Sequence, residues 1–262
     1  MYRFERKDFL KTRFISLWAA LGFQAGFLNA FGFLACGRYV THITGFGTQI
    51  GIALGEKSYF IALELLGFPL AFIFGAFASG FLTSARLERE LKPRYDVVTL
   101  VLPIGILTLL YLGQSGYFGI FGENLIRTRD FALLFSLSFL AGMQNGCFAT
   151  LTKGQIRTTH LTGISTDMGT DLARIWFGKM NDRERMLTKR TNFTRLATFI
   201  AFASGSILSV LTTERFDYLA LAIPLVTSGS IFLVIRKASL ELDKSYNKAA
   251  FVRQITTLER AI

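Results

Sequence analysis

Long apolar stretches alternate with blocks of charge along this chain, a pattern typical of a protein whose apolar segments lie in lipid. Read with a window of about 19 residues, the sequence predicts six membrane-spanning helices. They run over Phe14–Cys36, Tyr59–Thr83, Val97–Leu112, Phe131–Leu151, Leu196–Thr212 and Tyr218–Ile235. Since a helix needs about 20 residues to cross the hydrocarbon, the third, fifth and sixth spans are short.

Two semi-polar stretches lie between the spans, too polar for ordinary spans and too apolar for ordinary loops. They follow the first and the fourth span, and we predict half-helices over Thr44–Leu54 and Thr162–Leu172. Each would have about three turns and a length of about 16 Å. A Thr-Gly pair begins each one, because threonine is a competent N-cap and glycine lets the backbone turn closely.

The basic residues give these helices a direction. The chain has 262 residues, 51% of them hydrophobic, and a formal net charge of +11. Placing the N-terminus in the cytoplasm puts 24 of the 29 Lys and Arg residues on that side, in segments 1–13, 84–96, 152–195 and 236–262. The positive-inside rule therefore predicts two cytoplasmic termini. Because this topology accounts for the charge, nucleic acid is not predicted as a partner.

The basic segment from Arg174 to Arg195 has two interpretations. It is the clearest cytoplasmic anchor, and a topology signal is the favoured interpretation. The alternative is a site for a lipid headgroup or a nucleotide. The apolar stretch after the N-terminal basic residues is too long for a signal-peptide core, so we predict that it stays in the protein as the first span.

Two short peptides occur twice in the same order. Gly22-Phe23-Gln24-Ala25-Gly26 resembles Gly142-Met143-Gln144-Asn145-Gly146, and Thr41-His42-Ile43-Thr44-Gly45 resembles Thr159-His160-Leu161-Thr162-Gly163. Each copy holds three spans, an odd number, so the second copy enters the membrane in the opposite sense. We therefore predict an all-α integral membrane protein of two inverted three-helix repeats, an architecture of many secondary transporters. Its parts are an N-terminus (1–13), a first repeat (14–113), an outer loop (114–130), a second repeat (131–235) and a cytoplasmic tail (236–262).

The predicted site lies where the two repeats face each other, near the middle of the bilayer. Two half-helix N-termini approaching from opposite faces would favour an anion or a dipole there. The candidate substrate-binding residues come from the paired peptides and from polar positions in spans one and four: Thr41, His42, Thr44, Gly45, Thr159, His160, Thr162, Gly163, Gln24, Asn29, Gln144 and Asn145.

The only two histidines of the chain, His42 and His160, occupy matching places in the motif. Either could carry protons or hydrogen-bond a substrate. The alternative is that each only caps a helix or closes a loop. A two-histidine metal site is not predicted, because no cysteine or carboxylate stands at ligand spacing. Cys36 and Cys147 are read as small buried residues, and no metal or cofactor is expected.

Carboxylates inside apolar segments are candidates for proton coupling, since an ionised side chain is costly in lipid. Glu64 lies in the second span and Asp167 on the second half-helix. The alternative for Glu64 is a position at the membrane interface. Asp171 shares a face with Asp167, and Arg174 is close enough along the helix to pair with it.

The paired motifs resemble the YoaK-type family of small bacterial membrane proteins. The residues that carry the resemblance are Ala25-Gly26-Phe27-Leu28-Asn29-Ala30, Phe33-Leu34-Ala35-Cys36 and the two Thr-His-x-Thr-Gly peptides, within residues 14–235. The resemblance implies a multi-pass protein of the bacterial inner membrane and supplies no activity or catalytic residue. Many relatives have Thr-Gly-Asn where this chain has Thr44-Gly45-Phe46, so no role of that Asn is transferred.

The leading hypothesis is a transporter or channel for an unknown small solute or ion, without enzymatic activity. Its partners would be membrane lipids and, in one arrangement, further copies of the chain. A second hypothesis is a membrane-embedded enzyme using His160 with Asp167 or Glu64 as acid–base groups. A third is a membrane scaffold or sensor whose partner surfaces are the tail and the basic segment.

Overall fold

The computed structural model describes residues 12–122, 128–152, 159 and 161–259, and the side chains of all of these except 12–14, 128–130 and 242–259. Within these ranges all regular structure is helical and no strand occurs. The expectation of an all-α chain is confirmed for the described residues.

The first half of the chain forms five helices. They are α1 (Thr12–Cys36), α2 (Ile43–Gly55), α3 (Tyr59–Leu82), α4 (Ser84–Glu88) and α5 (Tyr95–Gln114). Helix α2 matches the first predicted half-helix to within a residue at each end. Its N-cap residue is His42, whose side chain makes no capping hydrogen bond. The expected capping role of Thr44 is therefore wrong, because the helix already begins at Ile43.

The second half contains four α-helices and a 3-10 helix. They are α6 (Thr128–Thr152), α7 (Leu161–Phe177), α8 (Asp182–Phe216), the 3-10 helix (Asp217–Leu221) and α9 (Ala222–Glu259). Helix α7 continues five residues beyond the predicted half-helix. Helix α8 begins 14 residues before the predicted fifth span, because Asn181 caps it by accepting a hydrogen bond from the Glu184 N–H (2.8 Å). The basic segment is thus helical where it precedes the apolar stretch.

Five stretches of the described chain are long and apolar enough to cross a membrane by length and composition. They are Ile15–Cys36, Tyr59–Glu88, Tyr95–Gln114, Phe131–Thr152 and Asp182–Glu241. The last has 60 residues, far more than the roughly 20 that one crossing needs. It is interrupted where α8 ends at Phe216 and Asp217 takes a φ of +45°.

Two helix pairs are packed so closely that backbone touches backbone. In the α1–α8 pair, a Cβ atom on Gly26 would overlap the carbonyl oxygen of Phe202, and one on Gly205 would overlap that of Phe23. In the α3–α6 pair, the same holds for Gly75 with Phe139 and for Gly142 with Phe72. Small residues permit this close approach. In lipid the hydrophobic effect does not drive helices together, so van der Waals contact between closely packed helices stabilises the pair instead.

Helices α1 and α6 form the inside of the bundle. The most apolar window of each is 61% buried, compared with 22% for α3. The outer face of α3 is a row of exposed large apolar side chains, including Phe60, Phe74, Phe77 and Phe81. Helices α5 and α9 pack against each other, α5 also against α6, and α9 also against α1. An apolar outside around a filled interior is what lipid as solvent favours.

Candidate functional site

Two glutamines meet at the contact between the two inner helices. The Nε2 of Gln24 on α1 donates to the Oε1 of Gln144 on α6 at 2.9 Å, and Gln24 is fully buried. Gln144 also donates through Nε2 to the carbonyl oxygen of Leu21, at 3.5 Å. A buried amide needs such partners, because leaving it unpaired costs free energy. Both residues were predicted site residues, and the structure brings them together.

Two asparagines hold the first threonine of each motif. Asn29 Oδ1 accepts from both the N–H and the Oγ1 of Thr41, each at 3.0 Å. On the other side, Asn145 Nδ2 donates to Thr159 Oγ1 at 2.7 Å. Each asparagine lies seven residues before the end of its helix, which is about 10 Å by helix rise. The chain therefore folds back by about two turns before α2 and α7 begin.

A small cavity lies among these polar residues. Its wall is formed by α1, α5, α6 and the two motif threonines: Gln24, Ala25, Leu28, Thr41, Leu102, Ile106, Leu140, Ala141, Gln144 and Thr159. Its volume, about 10 Å³ for the centre of a water molecule, gives room for about one water. The cavity is closed in by apolar side chains on α5 and is polar on the side of the amides.

The rest of the motif lies away from this cavity. His42 is exposed and its ring packs edge-on against Tyr39, with 5.9 Å between centroids. Thr44, Thr162 and Gly163 are also exposed, and a Cβ atom on Gly45 would come within 2.7 Å of the His42 ring. None of the five lines the cavity. His160 lies outside the described residues.

The two carboxylates predicted for proton coupling lie in different environments. Glu64 is half-buried, one turn after the start of α3, and has no hydrogen bond or ion pair within the described part of the chain. Asp167 is exposed on α7 and forms an ion pair with Arg195 of α8 at 2.8 Å. Neither lines the cavity. Their proposed role in proton coupling stays a prediction.

A cluster of charges joins α7 to α8. Asp171 binds Arg195 at 2.8 Å and Arg174 at 3.1 Å, and Arg174 also binds Glu184 at 2.9 Å. Asn192 completes the set by accepting from Arg195 Nη1 at 3.1 Å. The Asp171 and Arg195 side chains are only 12% and 14% exposed, so water screens this pair little. The possible Asp171–Arg174 pairing is confirmed, and Arg195 joins it as a second cation.

Sequence reasoning missed both Arg195 and the alanines of the cavity wall. It counted Arg195 as one of many basic residues of the anchor, and no sequence signal placed its side chain beside α7. Ala25 and Ala141 precede Gly26 and Gly142 in the same order on α1 and α6. That shared Ala-Gly pair was the available signal for the cavity wall.

Across the described ranges no group of three or more His, Cys, Asp or Glu could hold a metal ion. Cys36 and Cys147 are buried and form no disulfide, as expected for small packing residues. The carboxylates of Asp167 and Asp171 bind arginines, so an acid–base pair would have to break these ion pairs first.

Comparison with known proteins gives one match. Residues 17–234 match a family described as "Protein of unknown function (DUF1275)". No curated protein and no solved structure matches the chain. The match neither names an activity nor tests the resemblance to YoaK-type proteins, which stays a prediction.

Proposed function

The chain belongs to the DUF1275 family, a family of unknown function, and we propose that it is a transporter or channel for a small solute. The site is the cavity between α1 and α6. The observation that carries the proposal is the buried Gln24–Gln144 pair, with a motif threonine from each half of the chain on the same wall. Polar groups are costly in the interior of a membrane protein, and we take this buried pair to mark a solute path.

We propose further that the two halves are inverted repeats, which gives six crossings. Reciprocal contacts support this: Gly26 and Gly142 each meet a carbonyl of the outer helix from the other half. Helices α1 and α6 both have 25 residues and match with a shift of 116 residues, which also pairs Asn29 with Asn145. The match between Gln24 and Gln144 used a shift of 120, one helical turn away, so these glutamines are neighbours across the contact and not equivalents.

The half-helices are proposed to start inside the membrane. Thr41 and Thr159 bind asparagines about two turns before the ends of α1 and α6, and this supports a re-entrant path for both segments. Re-entrant backbone is tolerated in a bilayer where it is covered by protein or lines a cavity. The positive-inside rule supports two cytoplasmic termini in a bacterial inner membrane. Surrounding lipids, the solute and further copies of the chain are the proposed partners.

Cysteine labelling of the cavity wall tests the proposal. Cys36 and Cys147 are the only cysteines, so replacing both by alanine gives a background for Ala25→Cys and Ala141→Cys. Both alanines line the cavity, and a site that opens for a solute should expose them. We expect methyl methanethiosulfonate, a small uncharged reagent, to modify both in reconstituted vesicles, as measured by mass spectrometry of the intact chain.

The matched control is Ala62→Cys, which is equally buried in α3 but not on the cavity wall. It should react at least tenfold more slowly than the two cavity variants. A scaffold with a permanently packed interior would leave all three unmodified, and that result would overturn the proposed function.

A further inference from the structure

Among the described residues, the cavity wall carries hydrogen-bonding groups and no ionisable side chain. Its polar members are two amides and two hydroxyls, and the other six are Ala, Leu or Ile. Thr44 and Thr162, in the first turns of α2 and α7, are exposed and not part of the wall. The expectation that helix N-termini form an anion site at the centre therefore has no support in this cavity.

One polar atom on this wall has its hydrogen-bonding capacity unused. Gln24 gives its Nε2 hydrogen to Gln144, while its own Oε1 is buried and has no hydrogen-bond partner in the described chain. A buried carbonyl oxygen without a donor costs about 1–3 kcal/mol. A molecule in the cavity that donates a hydrogen bond would remove that cost.

The hydroxyl of one threonine can still accept a hydrogen bond, and the hydroxyl of the other can still donate one. The hydroxyl of Thr41 donates to Asn29, so lone pairs remain on its oxygen. The hydroxyl of Thr159 accepts from Asn145, so its hydrogen remains to be donated. Residues that line the same cavity thus hold two unused acceptors and one unused donor within the described chain, which suits a ligand that mainly donates and also accepts.

An ion would fit these surroundings poorly. An ion without a counter-charge in a dry interior is far more costly than an unpaired amide. The cations of the α7–α8 cluster are already bound to Asp167, Asp171 and Glu184. We infer that the cavity takes a small uncharged molecule with N–H or O–H groups. This inference rests on the proposed transport function and names its substrate class.

Permeability of proteoliposomes tests the substrate class. Vesicles holding the full chain are exposed to gradients of urea, glycerol or sucrose, and volume changes are followed by stopped-flow light scattering. The sucrose gradient reports water itself, while urea and glycerol report neutral solutes. Potassium chloride release, followed with ion-selective electrodes, reports ions. We expect at least tenfold faster movement of one or more of the neutral probes than in empty vesicles, and no increase for potassium or chloride.

Two variants tie that permeability to the cavity. Gln24→Leu removes the unpaired acceptor and should return the neutral flux to within about twofold of empty vesicles. The matched control is Gln114→Leu at the exposed end of α5, which should behave as the parent chain. Ile106→Ala keeps both amides and widens the wall, so it should raise glycerol flux relative to water flux even if Gln24→Leu fails to fold.

The possible failures are separable. Ion release without neutral flux would overturn the inferred substrate class and leave a transport function standing. Labelling of Ala25→Cys without any neutral flux would also overturn the substrate class, since the cavity then opens and does not pass these molecules. Absence of both labelling and flux would overturn the proposed function itself.

Discussion

The two short helices are held to their neighbours by opposite kinds of contact. Helix α2 packs on α3 through apolar side chains, with Phe46 against Phe68 at 4.9 Å between ring centroids. Helix α7 packs on α8 through the ion pair of Asp171 with Arg195. Both contacts place a short helix beside the second long helix of its half. A short helix can therefore be held in this position by an apolar contact or by an ion pair.

The proposed inverted repeat pairs the positions that form these two contacts. With the shifts that superpose the glycine contacts and the motifs, three buried residues of the first half, Ala53, Ala62 and Leu65, correspond to Asp171, Asn192 and Arg195 of the second. One apolar set thus stands where a carboxylate, an amide and a guanidinium stand in the other half. The charged set lies in the half whose short helix adjoins the basic segment. Under the proposed topology, headgroups and water would solvate charge there better than hydrocarbon does.

The largest expected effect comes from breaking the ionic contact on one side only. Arg195→Leu leaves the Asp171 carboxylate nearly buried with Arg174 as its remaining partner. Removing one member of a buried pair costs about 3–5 kcal/mol, and we expect a loss of about 4 kcal/mol in the free energy of unfolding, measured by denaturant titration in detergent micelles.

Stability should be restored by introducing the corresponding apolar residues of the first half. The triple variant Asp171→Ala, Asn192→Ala and Arg195→Leu reproduces the apolar set. It should regain most of the lost stability, because the only carboxylate left without its arginine is that of Asp167, which is exposed to solvent. If the triple variant is no more stable than Arg195→Leu alone, the two contacts are not interchangeable and the comparison fails.

The next largest effect belongs to the apolar contact. Phe46→Ala removes the ring that packs on Phe68, and we expect a loss of about 3 kcal/mol from the transfer and cavity terms. Ile164 is the buried residue at the matching place of α7, where ion pairs also hold the helix. Ile164→Ala should therefore lower the free energy of unfolding clearly less than Phe46→Ala does in the same titration. Equal losses would contradict the assignment of an apolar contact to α2 and an ionic contact to α7.

The glycine contacts should be alike in the two halves. Gly75→Ala and Gly205→Ala each put a methyl group onto a backbone carbonyl, and overpacking of this kind costs about 2 kcal/mol. We expect shifts of the thermal unfolding midpoint that agree with each other. Gly80→Ala and Gly229→Ala meet open space and serve as controls on helices α3 and α9. A large difference between Gly75→Ala and Gly205→Ala would speak against matched pairs.

The smallest effect concerns the start of the long helices. Asn181 caps α8 through its side chain, whereas Ser58 at the start of α3 makes no such bond. Asn181→Ala should lower the free energy of unfolding by about 1 kcal/mol, and Ser58→Ala should leave it unchanged. Amide hydrogen exchange in the first turn of α8 would locate the loss, and unchanged exchange there would exclude a capping role.

Much of this fold was accessible from the sequence, because lipid imposes long apolar helices. The spans at α1, α3 and α6 were predicted to within a few residues. Both short helices were expected to begin at their Thr-Gly pairs, one residue after the observed starts at Ile43 and Leu161. The long N-terminal extension of α8 was not, since a window that detects apolar runs does not register a helix whose first turns carry Arg183, Arg185 and Lys189.

The site was partly predictable for the same kind of reason. Buried amides are rare in apolar helices, so Gln24 and Gln144 stood out as single residues. The place of His42 was not predictable, because a motif fixes neighbours along the chain and not the direction of a side chain. Which threonine faces the interior depended on a fold-back that only the contacts with Asn29 and Asn145 reveal.

The close contact of α1 with α8 also sets an order of events during synthesis. Gly26 accepts a hydrogen bond through its carbonyl oxygen from Ser206, 180 residues later in the chain. The glycine face of α1 therefore has no α8 to pack against until most of the chain has been synthesised. Contacts of such sequence separation form late and expose the chain to wrong partners meanwhile. A nascent chain stopped before α8 should accordingly be the form that quality-control proteases remove.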